Sequence, residues 1–257
     1  PLASEDGYLR RSLLPGMLRA LSRNLARQNA GAALFEVGTV FAPGDPVEER
    51  EHFGIAMTGS ASEGWPEAQR SFDFFDLKGA METLLARLGV RGWRLTADLR
   101  RPFHPGRSAS VHVGEAPAGV MGELHPAAAA RFDLTGRVGV VELDVKVLRS
   151  ARERRFSTRD VPRFPPVRRD LAFVVDSGIA SAEIERAIRE QGGDLVWDCR
   201  LFDVFTGPPV PQGKRSLAFA VDFRAADRTL TDTEADGAIA TIVEALARDF
   251  GAELRSG

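Results

Sequence analysis

The sequence contains a single cysteine, Cys199, among its 257 residues. One thiol can form neither an internal disulfide nor a cysteine-rich metal site, and it suits a protein of the reducing cytoplasm. The sequence also lacks any run of about eighteen apolar residues, so we expect no transmembrane helix and no membrane partner. Its first residues lack the features of a signal peptide and an initiator Met, which indicates a fragment of a longer protein.

Motifs for catalysis and metal binding are missing as well. There is no phosphate-binding glycine loop and no serine-hydrolase motif. No histidine has a partner at metal-ligand spacing, so we expect structural or exposed roles for all four: His52, His104, His112 and His125. A buried carboxylate can act as an acid or base, but outward-facing glutamates are commoner in apolar strands such as those of Glu36, Glu123 and Glu142. Nothing predicts catalysis by this chain alone.

Charge is unevenly distributed along the chain. The formal net charge is −2, which argues against a general nucleic-acid binder. Residues 162–257 hold 12 Lys and Arg against 16 Asp and Glu, a net charge of −4. Residues 149–169, by contrast, hold eight arginines against Glu153 and Asp160, a net charge of +6. Any affinity for RNA must therefore come from local patches.

The Arg-rich run also contains several prolines, and it predicts a linker at 151–165. This linker separates a first domain, 1–150, from a second domain, 166–257. A solvated connection is the simplest interpretation of such a run. Its position, immediately before the first strand of the second domain, would also suit contact with phosphates.

The first domain has several strands and few helices, which predicts an α+β domain on an antiparallel sheet. An amphipathic helix is expected to begin near Ser12, and a second one ends at Gly89. The predicted strands are 33–41, 51–59, 94–97, 109–113, 119–124 and 139–145. The predicted loop 102–108 places His104 beside Arg107 and Ser108, which could bind an anion, although ordering of the loop is the simpler role.

The second domain is organised around a hairpin whose loop holds three prolines between two glycines. The order is strand, helix, strand, strand, helix, strand, which predicts a ferredoxin-like βαββαβ fold. The predicted elements are strand 169–175, helix 181–191, strands 201–205 and 214–223, helix 231–250 and strand 252–255. Thr229 or Thr231, each followed three residues later by an acid, is expected to cap the second helix.

Alternation along the strands predicts which side chains face the helices and which lie on the open side of the sheet. The predicted inward set is Leu171, Phe173, Phe202, Val204, Leu217, Phe219, Val221 and Phe223. The predicted open set is Ala172, Val174, Asp203, Phe205, Ser216, Ala218, Ala220 and Asp222. The open face thus combines small residues with one ring, one hydroxyl and carboxylates.

This combination suits an unstacked RNA base. Phe205 offers a stacking surface, Asp203 can accept from a base N–H, and Ser216 can donate or accept. Small residues such as Ala172 leave room for the base. We expect phosphate contacts from nearby cations, namely Arg168, Arg169, Lys214, Arg215 and Arg255. An open face that is merely solvated would be richer in Lys, Glu and Thr.

Several motifs in order resemble the bacterial phenylalanyl-tRNA synthetase beta subunit. The first-domain motifs are Arg10–Leu18, Leu34–Phe41, Phe103–Ala109 and Gly122–Pro126, and the second-domain motifs are Val167–Phe173, Phe202–Gly207 and Gly213–Phe219. The resemblance implies a class II synthetase-like domain that has lost activity, followed by a ferredoxin-fold anticodon-binding domain. It also implies that the family's anticodon contacts fall on the strands of the open set, where Phe205 stands in place of a frequent Tyr.

The resemblance further implies a role within a larger enzyme. That enzyme is an (αβ)₂ phenylalanine–tRNA ligase that uses ATP and magnesium, has its active site in the alpha subunit and binds tRNA-Phe. A working class II site needs an arginine just after the strand ending at Phe41, where Ala42 and Pro43 stand here. Editing and magnesium sites of the beta subunit belong to upstream domains. We therefore expect no cofactor in this fragment, and no activity from it alone.

A second hypothesis remains open from the sequence. The net charge of −4 on the second domain would also suit a stand-alone ferredoxin-like regulatory module that binds a small effector. Binding of an anticodon stem-loop distinguishes the two hypotheses.

Overall fold

The computed structural model describes residues 8–61, 70–153 and 163–255. Contacts within the chain define two compact units, residues 1–157 and 158–257. The boundary between the units lies among residues 154–162, so most of the predicted linker falls outside the described residues. Each unit encloses apolar core residues of its own.

The first unit contains four helices and six strands among its described residues. In chain order they are α1 (Leu14–Ala26), β1 (Gly31–Ala42), β2 (Glu48–Gly59), α2 (Phe74–Leu88), β3 (Trp93–Ala97), β4 (Phe103–Val113), β5 (Ala116–Leu124), α3 (Pro126–Ala129), β6 (Val138–Asp144) and α4 (Val145–Ala151). A short 3-10 turn, Ala130–Phe132, follows α3. Gly89 ends α2 with a φ of 71°, a left-handed conformation that suits glycine.

The strands of the first unit form one antiparallel sheet in the order β1-β2-β6-β5-β4-β3. Alternation along β2 sends Ile55 into a cluster with Leu77 of α2, whereas Ala56 joins a cluster with Met17 and Leu21 of α1. Helices therefore pack on both faces of the sheet. This arrangement confirms the predicted α+β class with an antiparallel sheet.

The predicted loop 102–108 is wrong, because residues 103–108 form the start of β4. Phe103 pairs with Leu124, and pairing resumes at Ser108 opposite Gly122, with a register shift between them. Proline and glycine in this stretch favour a loop in the sequence, but the irregular register accommodates both within the strand. Helix α4 was also missed; Asp144 caps it by accepting from the backbone N–H groups of Lys146 and Val147.

Two glutamates expected to face outward are buried. Glu123 is 4% exposed and Glu142 is 8% exposed. Glu142 Oε2 accepts a hydrogen bond from Ser12 Oγ at 2.6 Å, and Oε1 accepts from the Leu13 N–H at 2.9 Å. His52 Nδ1 lies 2.9 Å from Glu142 Oε1. These partners offset the cost of burying the carboxylate and attach the start of α1 to β6.

We predict that Glu142→Gln reduces the acid sensitivity of the first unit. Burial alone would raise the pKa of the Glu142 carboxyl, but hydrogen bonds from His52, Ser12 and the Leu13 N–H outweigh burial and hold the pKa below its ordinary value of 4.5. Such a carboxyl stabilises the fold above its ordinary pKa, and this stabilisation disappears as pH falls through the lower folded-state pKa. The melting temperature should therefore fall less in the variant between about pH 6 and about pH 3. Equal losses in both proteins would contradict this role.

The second unit has the predicted order of elements: β7 (Val167–Asp176), α5 (Ser181–Gly192), β8 (Val196–Phe205), β9 (Lys214–Phe223), α6 (Asp232–Phe250) and β10 (Glu253–Leu254). Its antiparallel sheet has the order β10-β7-β9-β8. The ferredoxin-like βαββαβ prediction is confirmed. Both helices pack on one face, where Ile184 and Ile188 of α5 and Ile242 of α6 meet the core residues of the strands.

The structure defines where α6 and β8 begin more exactly than the sequence did. Thr231 caps α6, since its side chain accepts from the Glu234 N–H while the Glu234 carboxylate accepts from the Thr231 N–H. This capping box confirms the structural role expected for Thr231. Strand β8 begins at Val196, five residues before the predicted start at 201, because these residues continue the pairing with β9.

Candidate nucleic-acid interface

The face of the second sheet that carries no helix is the candidate interface. On β9, the side chains of Leu217, Phe219 and Phe223 are fully buried against the helices. The intervening residues of β9, which include Ala218 and Ala220, therefore point to the other side. The predicted division of β7 and β9 into two faces is confirmed.

Strand register brings the predicted base-contacting residues into two adjacent rows. In the first row, Val174 lies opposite Ser216, and Ser216 lies opposite Phe205. In the second row, Ala172 lies opposite Ala218, and Ala218 lies opposite Asp203. Directly opposed residues of antiparallel strands share one face and lie about 5 Å apart. The ring, the carboxylate, the hydroxyl and the two alanines thus form one patch.

The structure corrects the inward placement of Phe202, whereas Val204 lies on the predicted side of the sheet. The register of β8 shifts between Leu201 and Asp203, so Phe202 is an extra residue opposite β9. Phe202 is 53% exposed, which excludes it from the core. Val204 lies opposite the buried Leu217 but is 49% exposed. Without the bulge at Phe202, Asp203 and Phe205 would not share a face with Ala218 and Ser216.

Arg255 lies across this patch. Its backbone N–H donates to the Ala172 carbonyl oxygen at 2.8 Å, next to β10. Its Cζ atom is 6.0 Å from the centre of the Phe205 ring, on the strand at the far edge of the sheet. The side chain therefore reaches from the end of β10 across the open face towards Phe205. Ser216, which lies opposite Phe205, is only 4% exposed, although it lies on the face without helices.

The five predicted phosphate-contacting cations are divided between the two faces. Arg168 lies opposite Asp222 on the open side, with 3.0 Å between Nε and Oδ1. Lys214 Nζ is 2.9 Å from Glu253 Oε1. Together with Arg255, these two cations border the patch. In each of the two ion pairs, Arg168 with Asp222 and Lys214 with Glu253, at least one side chain is exposed to solvent. Such pairs add little to stability.

Arg169 and Arg215 lie on the side of the helices, so their expected position around the open face is corrected. Arg169 is opposite the buried Val221, and its Nη2 donates to Asp232 Oδ1 at 2.6 Å, at the start of α6. Arg215 Nη2 donates to the Ile179 carbonyl oxygen at 2.6 Å, just before α5. Strand alternation alone could have identified this placement, because both residues share the odd-numbered positions of the core side chains.

The sequence did not predict the crossing of Arg255 over Phe205. These residues are fifty positions apart; Arg255 directly follows β10 and Phe205 ends β8, the opposite edge strand, so only the strand order brings them together. The neutralising partners Asp222 and Glu253 were also not foreseen as partners. Among residues 8–61, 70–153 and 163–255, no group of three or more His, Cys, Asp or Glu is arranged to hold a metal ion.

Comparison with known families adds an independent observation. Residues 1–145 match the model of the phenylalanyl tRNA synthetase beta chain CLM domain, and residues 162–255 match the ferredoxin-fold anticodon binding domain. The chain belongs to the phenylalanyl-tRNA synthetase beta chain family. The second match covers the whole of the sheet that carries the patch.

Curated members of this family resemble the chain along its full length. The phenylalanine–tRNA ligase beta subunit of Symbiobacterium thermophilum is 45% identical over 100% of this chain, and that of Moorella thermoacetica is 40% identical over 99%. The Clostridium tetani protein of the same name is 35% identical over 99% of the chain. The chain spans 29% of the first relative and 32% of the other two. These matches give no support to a stand-alone effector-binding module.

Within residues 8–61, 70–153 and 163–255, no helix has both the length and the apolar character needed to cross a bilayer.

Proposed function

We propose that the second unit binds the anticodon stem-loop of tRNA-Phe through the open face of its sheet. The observation that carries this proposal is the pair of rows that joins Ala172, Asp203, Phe205 and Ser216 on one side without helices. The match to a family described as an anticodon-binding domain supports it. The role belongs to a phenylalanine–tRNA ligase in the cytoplasm.

An unstacked base would take its place against the Phe205 ring. Stacking of a base on an aromatic side chain contributes about 1–3 kcal/mol. An exposed cation–π contact such as that of Arg255 with Phe205 contributes only about 0.5–1 kcal/mol. The base therefore competes successfully for the ring, and Arg255 is then available to a phosphate or to the other side of the base. Asp203, which lies in the row next to that of Phe205, would accept a hydrogen bond from a base N–H.

Electrostatic attraction plays a limited part in this binding. The unit has a net charge of −4 over residues 162–257. Four cations lie on the open side in the described residues, because Arg200 is opposite Ala220 there, and two of them, Arg168 and Lys214, already have carboxylate partners. A single strand that contacts Z phosphates gives a log–log salt slope of about −0.7Z. Four cations would give a slope no steeper than about −3. Base contacts must then provide most of the discrimination.

The test compares the 257-residue chain with the triple variant Asp203→Ala, Phe205→Ala, Ser216→Ala. Titration with a labelled anticodon stem-loop at several salt concentrations should show at least a tenfold weaker Kd for the variant at each salt. The salt slope should stay unchanged, because no cation has been removed. A folded triple variant that binds as tightly as the wild type would exclude the open face as the binding site.

In this proposal, the first unit serves the assembly of the beta subunit with the alpha subunit. It would contact the alpha subunit within an (αβ)₂ heterotetramer, which uses ATP and magnesium for phenylalanylation. An exposed apolar patch on the edge strand β1 supports this role: Phe35 is 76% exposed and Val37 is 53% exposed. The Phe35 ring stacks on Phe53 of β2 at 6.2 Å. Apolar side chains of this size at a sheet edge are typical of interaction surfaces.

Replacing this patch should weaken assembly without affecting the second unit. We predict that Phe35→Ser with Val37→Ser in a full-length beta subunit lowers the amount of alpha subunit that co-purifies by more than half. The matched control Phe202→Ser, an exposed aromatic of the second unit, should leave co-purification unchanged. Equal recovery of the alpha subunit with both variants would place the assembly surface elsewhere.

A further inference from the structure

A pocket of about 240 Å³ lies in the first unit, at the beginning of α2. It is lined by residues from four parts of the unit: Asp73, Phe74, Phe75, Gly106, Arg107, Ser108, Glu123 and Arg137. The role of the open face does not involve this pocket, because all of these residues belong to the first unit. Its volume is below the roughly 300–1,000 Å³ of pockets for drug-sized ligands, which restricts the occupant to about one ring with a short substituent.

Two arginines give the pocket its cationic wall. Glu123 is 4% exposed, and its Oε2 accepts from Arg107 Nη1 at 2.9 Å and lies 3.7 Å from Arg137 Nε. One carboxylate thus holds two guanidinium groups in place. The side chains of Arg107 and Arg137 remain 42% and 46% exposed. Each guanidinium has five N–H donors, so both retain donors for a second acceptor.

The other carboxylate of the pocket is directed to the protein itself. Asp73 Oδ1 accepts from the backbone N–H groups of Phe75 and Asp76 at 2.8 and 3.2 Å. It serves as the cap of α2. The charge available to a ligand therefore comes mainly from the two arginines, and an acidic ligand group is favoured over a basic one.

Two phenylalanine rings supply the apolar wall. Phe74 and Phe75 meet edge to face, with 5.9 Å between ring centres and an interplanar angle of 87°. Phe75 is 75% exposed, which is unusual for a ring whose neighbour packs into the core. An aromatic ligand ring would cover it and gain stacking energy. His104 does not line this pocket; it lies 6.3 Å from the His125 ring.

We propose that this pocket binds a small aromatic carboxylate. The carboxylate of the ligand bridges Arg107 and Arg137, and its ring packs on Phe75. The buried Glu123 is a positioning residue that holds both guanidinium groups at the rim. A phosphorylated nucleoside is too large for the volume, and an aromatic amine would meet two positive charges.

Saturation-transfer NMR with the 257-residue chain and 3-phenylpropionate tests this site. We expect clear transfer to the phenyl protons at millimolar ligand, and at least a fivefold smaller signal for Phe75→Ala and for Arg137→Met. Arg131→Met, which changes an exposed arginine outside the pocket, is the matched control and should retain the wild-type signal. Phenethylamine, which has the same ring without the carboxylate, should give little transfer.

Phe75→Ala changes an exposed side chain, so it keeps the experiment decisive even if Arg137→Met fails to fold. Absence of transfer from 3-phenylpropionate to the wild type would overturn the proposal. The same conclusion would follow if Phe75→Ala kept the full signal, or if phenethylamine gave a signal as strong as that of the acid. Because RNA binding involves the other unit, failure here would leave the anticodon proposal intact.

Discussion

Phe205→Ala should weaken binding of the tRNA-Phe anticodon stem-loop by roughly 5- to 150-fold, which corresponds to about 1–3 kcal/mol of lost base stacking. The ring lies opposite Ser216 on the side of the sheet without helices. It is 38% exposed, so its removal leaves the core unchanged. Phe205→Tyr should retain the stacking surface and bind within a few-fold of the wild type.

Phe202→Ala provides the matched control for this experiment. Phe202 belongs to the same strand and is 53% exposed, but the bulge removes it from the register that places Phe205 opposite Ser216. Fluorescence anisotropy with a labelled stem-loop should show little change for this variant. If Phe202→Ala and Phe205→Ala weakened binding equally, the assignment of faces on β8 would be incorrect.

Phe219→Ala should lower the free energy of unfolding of the second unit by about 3–5 kcal/mol. Phe219 is fully buried in the centre of β9, where Leu171 of β7 and Leu201 of β8 lie opposite it. Truncation removes apolar contacts and leaves a cavity that a four-stranded sheet cannot close. This loss is a large part of the 5–15 kcal/mol that usually stabilises a domain.

Calorimetry of the 257-residue chain measures this effect. A loss of about 3–5 kcal/mol should lower the melting temperature of a unit of this size by more than about 10 °C. The transition of the first unit should keep its position, since no residue of its core has changed. Phe202→Ala, an exposed substitution, should shift the second transition by the equivalent of about 0.5 kcal/mol at most. A small shift with Phe219→Ala would show that the core around β9 relaxes into the cavity.

Sequence alternation predicted β7 and β9 correctly because both are regular strands of the sheet interior. Leu171, Phe173 and Leu217 follow a strict period of two, and burial on one face enforces it. On β8 the same reasoning was wrong only for Phe202, the extra residue of the bulge. The predicted sides of Asp203, Val204 and Phe205 are correct, because these residues follow the bulge and pair in register with Ala218, Leu217 and Ser216.

Charged side chains were harder to place from the sequence than apolar ones. Arg169 of β7 and Arg215 of β9 occupy odd-numbered positions, whose side chains lie on the side of the helices. Because these side chains are long, their guanidinium groups reach the ends of the helices. Buried Glu123 and Glu142 depend on partners 14 to 130 residues away along the chain. No local pattern contains such long-range pairs, so the sequence pointed to Arg107 and Ser108 as a possible anion site but not to Glu123 and Arg137 beside them.

The ion pairs on the open face have a consequence for selectivity. Arg168 is paired with Asp222 and Lys214 with Glu253, so a phosphate that binds either of these cations must displace a carboxylate that is already present. Random RNA therefore gains little on this surface. In a ligase that holds the rest of a tRNA, the effective concentration of the anticodon can reach the millimolar range. If the open face binds the anticodon as proposed, weak intrinsic affinity is then sufficient, and the surface would release a wrong anticodon quickly.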